Sequence, residues 1–304
     1  MFENIGLRIG AFFMSVVSFF NILFAGYIKY YPDNRIFLNE YYTESKNERQ
    51  MYDLVFSKKA SGNMGLVLCI HGGGWVEGSK DSYTKELFTV SREKGVAAAC
   101  MNYRYASENV SFDDILDDVS SALYAIKVKG AEYGVNFDKV LLTGISAGGH
   151  LSLLYAYTRK NIAPIKPVCV VELCGPTDLE NKFFYSTDNR VGASVGVEYF
   201  RNIISNGIDF NIDLNNFDAA RNAMKKYSPI NYIDENTVPT VFGHGEIDNI
   251  VPYQNSLDLN KKLSEFNVEH TFISFPNSNH ECEDKESMSE IMKLFFECID
   301  TYIK

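Results

Sequence analysis

Short apolar runs recur along the chain from residue 51 onward, separated by longer stretches in which apolar residues follow helical spacing. Most of the runs are nearly continuous, which is expected of strands covered on both faces of a sheet. We predict a strand at each run. The runs are "MYDLVF" (51–56), "LVLCIH" (66–71), "VAAACMNY" (96–103), "VLLTG" (140–144), "VCVVELCG" (168–175), "TVFGHG" (240–245) and "TFISFP" (271–276).

The stretch from residue 111 to 134 predicts an amphipathic helix. Four apolar residues form one stripe at spacings of three and four: Ile115, Val119, Ala122 and Ile126. Ser111 is the expected N-cap, and Asp113 and Asp114 fall in the first turn, where the helix dipole favours acids. Because strands and helices alternate, the pattern predicts an α/β fold with a mostly parallel central sheet and helices on both faces.

Three regions depart from this alternation. Residues 1–30 form an N-terminal hydrophobic segment, and residues 31–50 are polar and aromatic without a sustained period, which indicates a connector. Residues 179–227 interrupt the α/β domain (51–304) with aromatic and Asn residues but no obvious strand, and we interpret them as an insertion.

The apolar segment 9–28 contains twenty residues without a charge between Arg8 and Lys29. That is about the length that crosses a bilayer, so we predict a membrane anchor and a membrane-associated protein. A cleaved signal, which implies secretion, and a hydrophobic helix packed on a cytoplasmic domain are the alternatives.

The composition points to a globular protein, with 304 residues, 46% hydrophobic and 22% charged. A net charge of -10 argues against a nucleic-acid partner, because such proteins normally carry a basic face. The six cysteines contain no C-x-x-C pair and no zinc-like spacing. We therefore expect buried free thiols and no metal.

The sequence "GISAGGH" (144–150) lies between an apolar strand and an apolar helix. Gly-x-Ser-x-Gly in this setting predicts a sharp turn that exposes the hydroxyl of Ser146 as a nucleophile. An ordinary strand-to-helix turn is the competing interpretation, and the choice depends on whether the chain supplies a base, an acid and an oxyanion site.

A glycine loop, "HGGGW" (71–75), follows the strand 66–71. Backbone N–H groups of such a loop, together with that of Ala147, could bind the oxyanion of a tetrahedral intermediate. A phosphate-binding loop is the alternative, but neither of its two common glycine motifs occurs here. Trp75, the only tryptophan, is interpreted as a packing residue beside the loop.

Among the five histidines, His280 has the position expected of a general base, because its loop follows the last strand. Asp248 follows the preceding strand and gives the order Ser, acid, His. Glu246 and Asp178 are the alternative acids. His150, one turn after Ser146, is interpreted as structural.

Together "HGGGW", "GISAGGH", "GPTDL", "YSPINYI", "PTVFGHGEIDNIVP" and the His280 loop resemble the α/β-hydrolase fold, and more narrowly the hormone-sensitive-lipase-like esterases and bacterial carboxylesterases. The resemblance runs from about residue 50 to the C-terminus. It implies a serine hydrolase of small carboxylic esters that needs no cofactor. Its implied residues are a catalytic triad of Ser146, His280 and Asp248, oxyanion donors at Gly73, Gly74 and Ala147, and a loop brace formed by His71 and Gly72.

Other activities remain compatible with this sequence. An amidase, peptidase or formamidase would use the same triad, and some relatives of this fold bind ligands without catalysis. The insertion 179–227 is expected to form a helical lid. Its candidates for acyl-pocket residues are Phe183, Phe184, Tyr185, Tyr199 and Phe200.

Overall fold

A computed structural model describes residues 33–107, 109–180 and 217–304, and eight strands lie within these ranges. The strands are β1 (Asn34–Tyr41), β2 (Met51–Ser57), β3 (Gly62–Ile70), β4 (Ala97–Met101), β5 (Val135–Ile145), β6 (Lys166–Leu173), β7 (Thr240–Gly245) and β8 (His270–Phe275). They form one sheet in the order β1-β2-β4-β3-β5-β6-β7-β8. β3 to β8 are parallel, while β2 runs antiparallel to both β1 and β4.

Six α-helices are present in the same part of the chain. They are α1 (Thr84–Lys94), α2 (Phe112–Ala131), α3 (Ala147–Arg159), α4 (Phe217–Met224), α5 (Gln254–Glu265) and α6 (Lys285–Cys298). The predicted capping of α2 is confirmed, because the Ser111 side chain accepts from the Asp114 N–H while Asp114 accepts from the Ser111 N–H. All four residues of the predicted stripe on α2 are fully buried.

Successive residues of β3 point into different cores. Leu68 and Ile70 belong to the cluster that includes residues of α2, α3 and α5, whereas Val67 and Cys69 belong to the cluster that includes residues of α1 and α6. Both faces of the sheet are therefore covered, which explains why the strands read as continuous apolar runs. The predicted α/β-hydrolase architecture is confirmed.

The predicted connector 31–50 is in part a strand. β1 pairs with β2 at the edge of the sheet, with an irregular register between Phe37 and Glu40. Its residues are half-buried or exposed, so no regular alternation marks it in the sequence.

Two other predictions concern residues outside the described ranges. These are the apolar segment 9–28 and most of the insertion, including all five proposed acyl-pocket aromatics. Within the described ranges, no helix combines the length and apolar character needed to cross a bilayer. The last part of the insertion contains α4, which leads into two short 3-10 turns, Lys225–Tyr227 and Pro229–Tyr232.

Candidate active site

Ser146 stands at the turn between β5 and α3. Its backbone has φ 56° and ψ −122°, a conformation that residues with a side chain rarely adopt. The Ser146 N–H donates to the Leu173 carbonyl at 2.8 Å, and the Ser146 carbonyl accepts from the His150 N–H at 2.9 Å. The turn is thus held from β6 on one side and from α3 on the other, as the elbow around "GISAGGH" requires.

Glycines allow three elements to meet behind this serine. A Cβ on Gly148 would lie 2.0 Å from the Ile70 carbonyl oxygen at the end of β3. A Cβ on Gly144 would lie 2.5 Å from the backbone of Gly148. Any larger residue at these positions would push the first turn of α3 away from the sheet.

The glycine loop lies directly beside the start of α3. Gly73 and Gly74 have φ values of 112° and 54°, and the Gly73 carbonyl accepts from the Val76 N–H at 3.1 Å. The Cβ position of Gly148 is only 2.8 Å from the carbonyl oxygen of His71, so the loop adjoins the helix that begins at Ala147. The structure therefore brings the three predicted oxyanion donors to the same edge of the sheet.

The His71 side chain stabilises the glycine loop through hydrogen bonds. Its Nδ1–H donates to the Gly72 carbonyl at 2.7 Å, and Arg49 donates to its Nε2 at 2.9 Å. The ring stacks on Tyr103, whose hydroxyl donates to the His71 carbonyl at 3.1 Å. Burial lowers the pKa of His71 to about 3, so the ring stays neutral and keeps Nε2 as an acceptor for Arg49.

His280 is paired with Asp248. The Nδ1 of His280 lies 2.6 Å from Oδ2 of Asp248, and both side chains are almost completely buried. Glu246, one of the alternative acids, instead accepts from the Ser274 hydroxyl at 2.7 Å. Asp178 uses its carboxylate to accept from the Glu180 N–H at 2.9 Å.

Backbone contacts hold the two loops that carry this pair together. The N–H groups of Ile250 and Val251 donate to Oδ1 of Asp248 at 2.8 and 2.9 Å. The Ile247 N–H donates to the Ser278 carbonyl at 3.0 Å, two residues before His280. A Cβ on Gly245 would lie 2.1 Å from the Asn279 carbonyl oxygen, so the loops after β7 and β8 are in direct contact.

His244 is a site residue that the sequence analysis did not assign. Its Nε2 lies 3.0 Å from Oδ2 of Asp248, the same oxygen that binds His280. The Ser256 hydroxyl donates to Nδ1 of His244 at 2.7 Å. His244 and Asp248 are four residues apart in "HGEID". This short spacing is the one feature of the sequence that indicates a contact between them.

Asp248 is held in its ionised form by these partners. Burial by itself would raise the pKa of the Asp248 carboxyl, but the interaction with His280 and the hydrogen bonds from His244 and His280 outweigh burial. The pKa consequently lies well below its usual range. The carboxylate can therefore orient His280 and stabilise its protonated form.

His150 and Trp75, which the sequence indicates as a structural and a packing residue, contact each other. The Trp75 indole donates to Nδ1 of His150 at 3.1 Å, and Nε2 of His150 donates to the Tyr227 carbonyl at 2.8 Å. Both side chains are fully buried, and burial lowers the pKa of His150 to about 4. These contacts tie the glycine loop and α3 to the end of the insertion.

Glu172 is a buried carboxyl behind the serine turn. Its Oε2 accepts from the Gly175 N–H at 2.7 Å and approaches the Cβ position of Gly149 to 2.5 Å. Burial raises the pKa of Glu172 to about 8, although the hydrogen bond from Gly175 by itself lowers it. At neutral pH this side chain is therefore largely protonated.

Among the described residues, one group has the spacing of metal ligands. It consists of Cys174, His244 and Asp248, whose candidate ligand atoms lie within 4.8 Å of one another. Both ring nitrogens of His244 and both oxygens of Asp248 already form the hydrogen bonds given above. A metal would have to replace several of them, and we assign none.

The chain is similar in sequence to two proteins of known name. It is 30% identical over 206 residues to the probable carboxylic ester hydrolase LipM of Mycobacterium tuberculosis. The matched region covers 64% of this chain and 44% of LipM. It is 28% identical over 253 residues to acylamino-acid-releasing enzyme 1 of Oryza sativa subsp. japonica, covering 78% of this chain and 30% of that enzyme. The chain thus spans less than half the length of each of these curated relatives.

A truncated carbohydrate esterase from gut microbiota has the same fold, with a TM-score of 0.67 and 21% identity over 86% of this chain and 95% of that one. The BD-FAE family model matches residues 52–263, from β2 to α5. That range is more than two thirds of the 304 residues and contains the glycine loop, the serine turn and Asp248. The chain belongs to the BD-FAE family and has the α/β-hydrolase fold.

Proposed function

We propose that the protein is a serine hydrolase that cleaves carboxylic esters, with Ser146 as nucleophile, His280 as general base and Asp248 as the acid that orients it. The observation that carries this proposal is the 2.6 Å contact between His280 and Asp248, at the same sheet edge as the strained Ser146 turn. The similarity to a probable carboxylic ester hydrolase supports the reaction class.

Acylation follows from this arrangement. Ser146 Oγ attacks the ester carbonyl while Nε2 of His280 takes its proton, since Nδ1 is engaged with Asp248. The tetrahedral intermediate collapses as His280 returns the proton to the leaving alcohol, and an acyl-enzyme remains. Water then attacks the acyl carbon, with His280 again as base, and the carboxylic acid leaves.

The oxyanion would be bound by backbone N–H groups of Gly73, Gly74 and Ala147. Ala147 begins α3, and the first N–H groups of a helix have no carbonyl partner within that helix. The brace from Arg49 through His71 to Gly72 fixes the loop before substrate arrives. Such preorganised donors are among the largest contributions to acyl-transfer catalysis.

We propose a small, neutral or weakly charged ester as the substrate, because the protein carries a net charge of -10 and would attract anions poorly. The insertion 179–227 would form the lid of the α/β domain and select the acyl group, with its five aromatic candidates as pocket residues. The segment 9–28 would associate the domain with a membrane.

A peptidase or amidase is the second candidate. It is favoured by the match to an acylamino-acid-releasing enzyme, which extends over 78% of this chain. The triad would act identically, with an amine rather than an alcohol as the leaving group. The two candidates differ only in the substrates that are turned over.

A panel of p-nitrophenyl acyl esters of increasing chain length, assayed beside acylated aminoacyl-p-nitroanilides, tests the proposal. We expect turnover of short acyl esters that is lost in Ser146→Ala and retained in Ser152→Ala, a buried serine one turn and a half along α3 that bonds the Gly148 carbonyl. Turnover of the anilides alone would favour the peptidase. Ester turnover that survives Ser146→Ala would refute the assignment.

A further inference from the structure

Cys174 and Cys282 lie in contact although they are 108 residues apart in sequence. Their Sγ atoms are 2.9 Å from each other, and the residues are 0% and 3% exposed. Non-bonded carbon atoms pack best at roughly 3.5–4.0 Å, and the S–S bond of a disulfide measures about 2.05 Å. The fold therefore brings these two sulfurs closer than ordinary packing requires.

The two cysteines sit on the segments that carry the candidate active site. Cys174 directly follows β6, and its N–H donates to the Gly243 carbonyl at 2.9 Å. Its neighbour Leu173 accepts the hydrogen bond from Ser146. Cys282 lies two residues after His280, in the same loop. A bond between them would join the support of the serine turn to the histidine loop.

We propose that Cys174 and Cys282 form a disulfide under oxidising conditions and that this disulfide fastens the His280 loop to the end of β6. The bond would be closed in an oxidising compartment and open in a reducing one. Its formation does not depend on which ester or amide the enzyme cleaves.

The oxidant is a small disulfide, such as oxidised glutathione. The Cys282 thiolate attacks one sulfur of that disulfide and releases one glutathione thiolate, which gives a mixed disulfide. The deprotonated Cys174 then attacks Sγ of Cys282 and releases the second thiolate. The protein loses two protons and two electrons, and the oxidant leaves as two thiols.

The other four cysteines provide internal controls. Cys69 and Cys100 face each other on the adjacent parallel strands β3 and β4, and Cys100 Sγ lies 3.8 Å from the Thr84 hydroxyl. Cys169 and Cys298 share a hydrogen bond between β6 and the end of α6. A disulfide between Cys169 and Cys298 would not involve the His280 loop. Mapping the linked peptides therefore distinguishes this disulfide from the proposed one between Cys174 and Cys282.

The test starts from reduced, unfolded full-length protein, because both sulfurs are inaccessible in the folded state. The protein is refolded in a buffer of reduced and oxidised glutathione, alkylated under denaturing conditions and mapped by mass spectrometry. We expect two of the six thiols to resist alkylation and one peptide pair, containing Cys174 and Cys282, to be linked. Oxidation should raise Tm by about 5 °C or more, as closure of a long loop does.

Cys282→Ser should abolish both the linked peptide and the rise in Tm on oxidation, whereas Cys298→Ser should retain both. Six alkylated thiols after refolding in the oxidising buffer would overturn the proposal. So would a link between Cys169 and Cys298 alone. Because these readouts are mass and melting temperature, they are independent of the ester assay that tests the proposed function.

Discussion

His244 lies with its Nε2 3.0 Å from Oδ2 of Asp248, the oxygen that also binds His280 at 2.6 Å. One carboxylate oxygen thus faces two buried imidazoles. His244 is itself fixed by Ser256 and by the Val251 carbonyl, 3.0 Å from Nε2. We infer that His244 is a positioning residue, which acts on catalysis through the orientation and charge of Asp248.

Replacing His244 by Phe should lower kcat by about 10- to 150-fold with little change in KM, because a hydrogen bond to a charged group is worth about 1.5–3 kcal/mol. Loss of the His244 hydrogen bond also raises the pKa of Asp248. On acidification, the variant should therefore lose activity at a higher pH than the unaltered protein does. His270→Phe, at the start of β8, is the matched control. A kcat and pH profile equal to those of the unaltered protein would exclude the positioning role.

Replacing Asp248 by Asn should reduce kcat by about 10³- to 10⁴-fold while leaving the fold intact, because an amide cannot stabilise the protonated form of His280. Glu246→Gln is the control, since that carboxylate bonds Ser274 instead. It should stay within about twofold of the unaltered enzyme. The opposite ranking of the two variants would make Glu246 the acid.

Replacing Gly148 by Ala should lower the free energy of unfolding by about 3 kcal/mol or more, because the added Cβ would lie 2.0 Å from the Ile70 carbonyl oxygen. The control is Gly95→Ala, where the added Cβ meets no atom within 4 Å and the only cost is the positive φ of 70°. Its cost should be about 1 kcal/mol. Equal losses in urea titrations of the two variants would show that the close approach at Gly148 is unimportant.

Because of Glu172, we expect the free energy of unfolding to fall as the pH rises. Its pKa is about 8 in the folded state and 4.5 ordinarily, so the folded state binds the proton more tightly. The resulting stabilisation is complete below pH 4.5 and is lost as pH rises through 8. Glu172→Gln should reduce the difference in unfolding free energy between pH 5 and pH 9, whereas the same change at exposed Glu235 should not. An unaltered difference in Glu172→Gln would contradict this account.

Much of the site could be predicted from the sequence because parallel strands end at one edge of the sheet. Ser146, Asp248 and His280 each follow a parallel strand, so topology alone brings their loops to that edge. The glycine loop was recognisable for the same reason. β1 was missed because an edge strand with half-exposed residues has no regular hydrophobic alternation.

The contacts that the sequence did not reveal depend on side-chain packing. His244 ends a buried strand, and only the structure shows that its ring turns towards Asp248. Cys174 and Cys282 have no local motif, because 108 residues separate them and the approach depends on how two loops pack. Buried thiols were expected from their apolar surroundings, but their pairing was not.

The most direct test of the central claim is to map the covalent adduct of a fluorophosphonate probe by peptide mass spectrometry. Such probes react with a serine that a neighbouring base activates. We predict one adduct, on Ser146, formed rapidly by the unaltered protein and at least a hundredfold more slowly by His280→Ala. An adduct on another residue, or labelling of Ser146 at an unchanged rate in His280→Ala, would contradict the account.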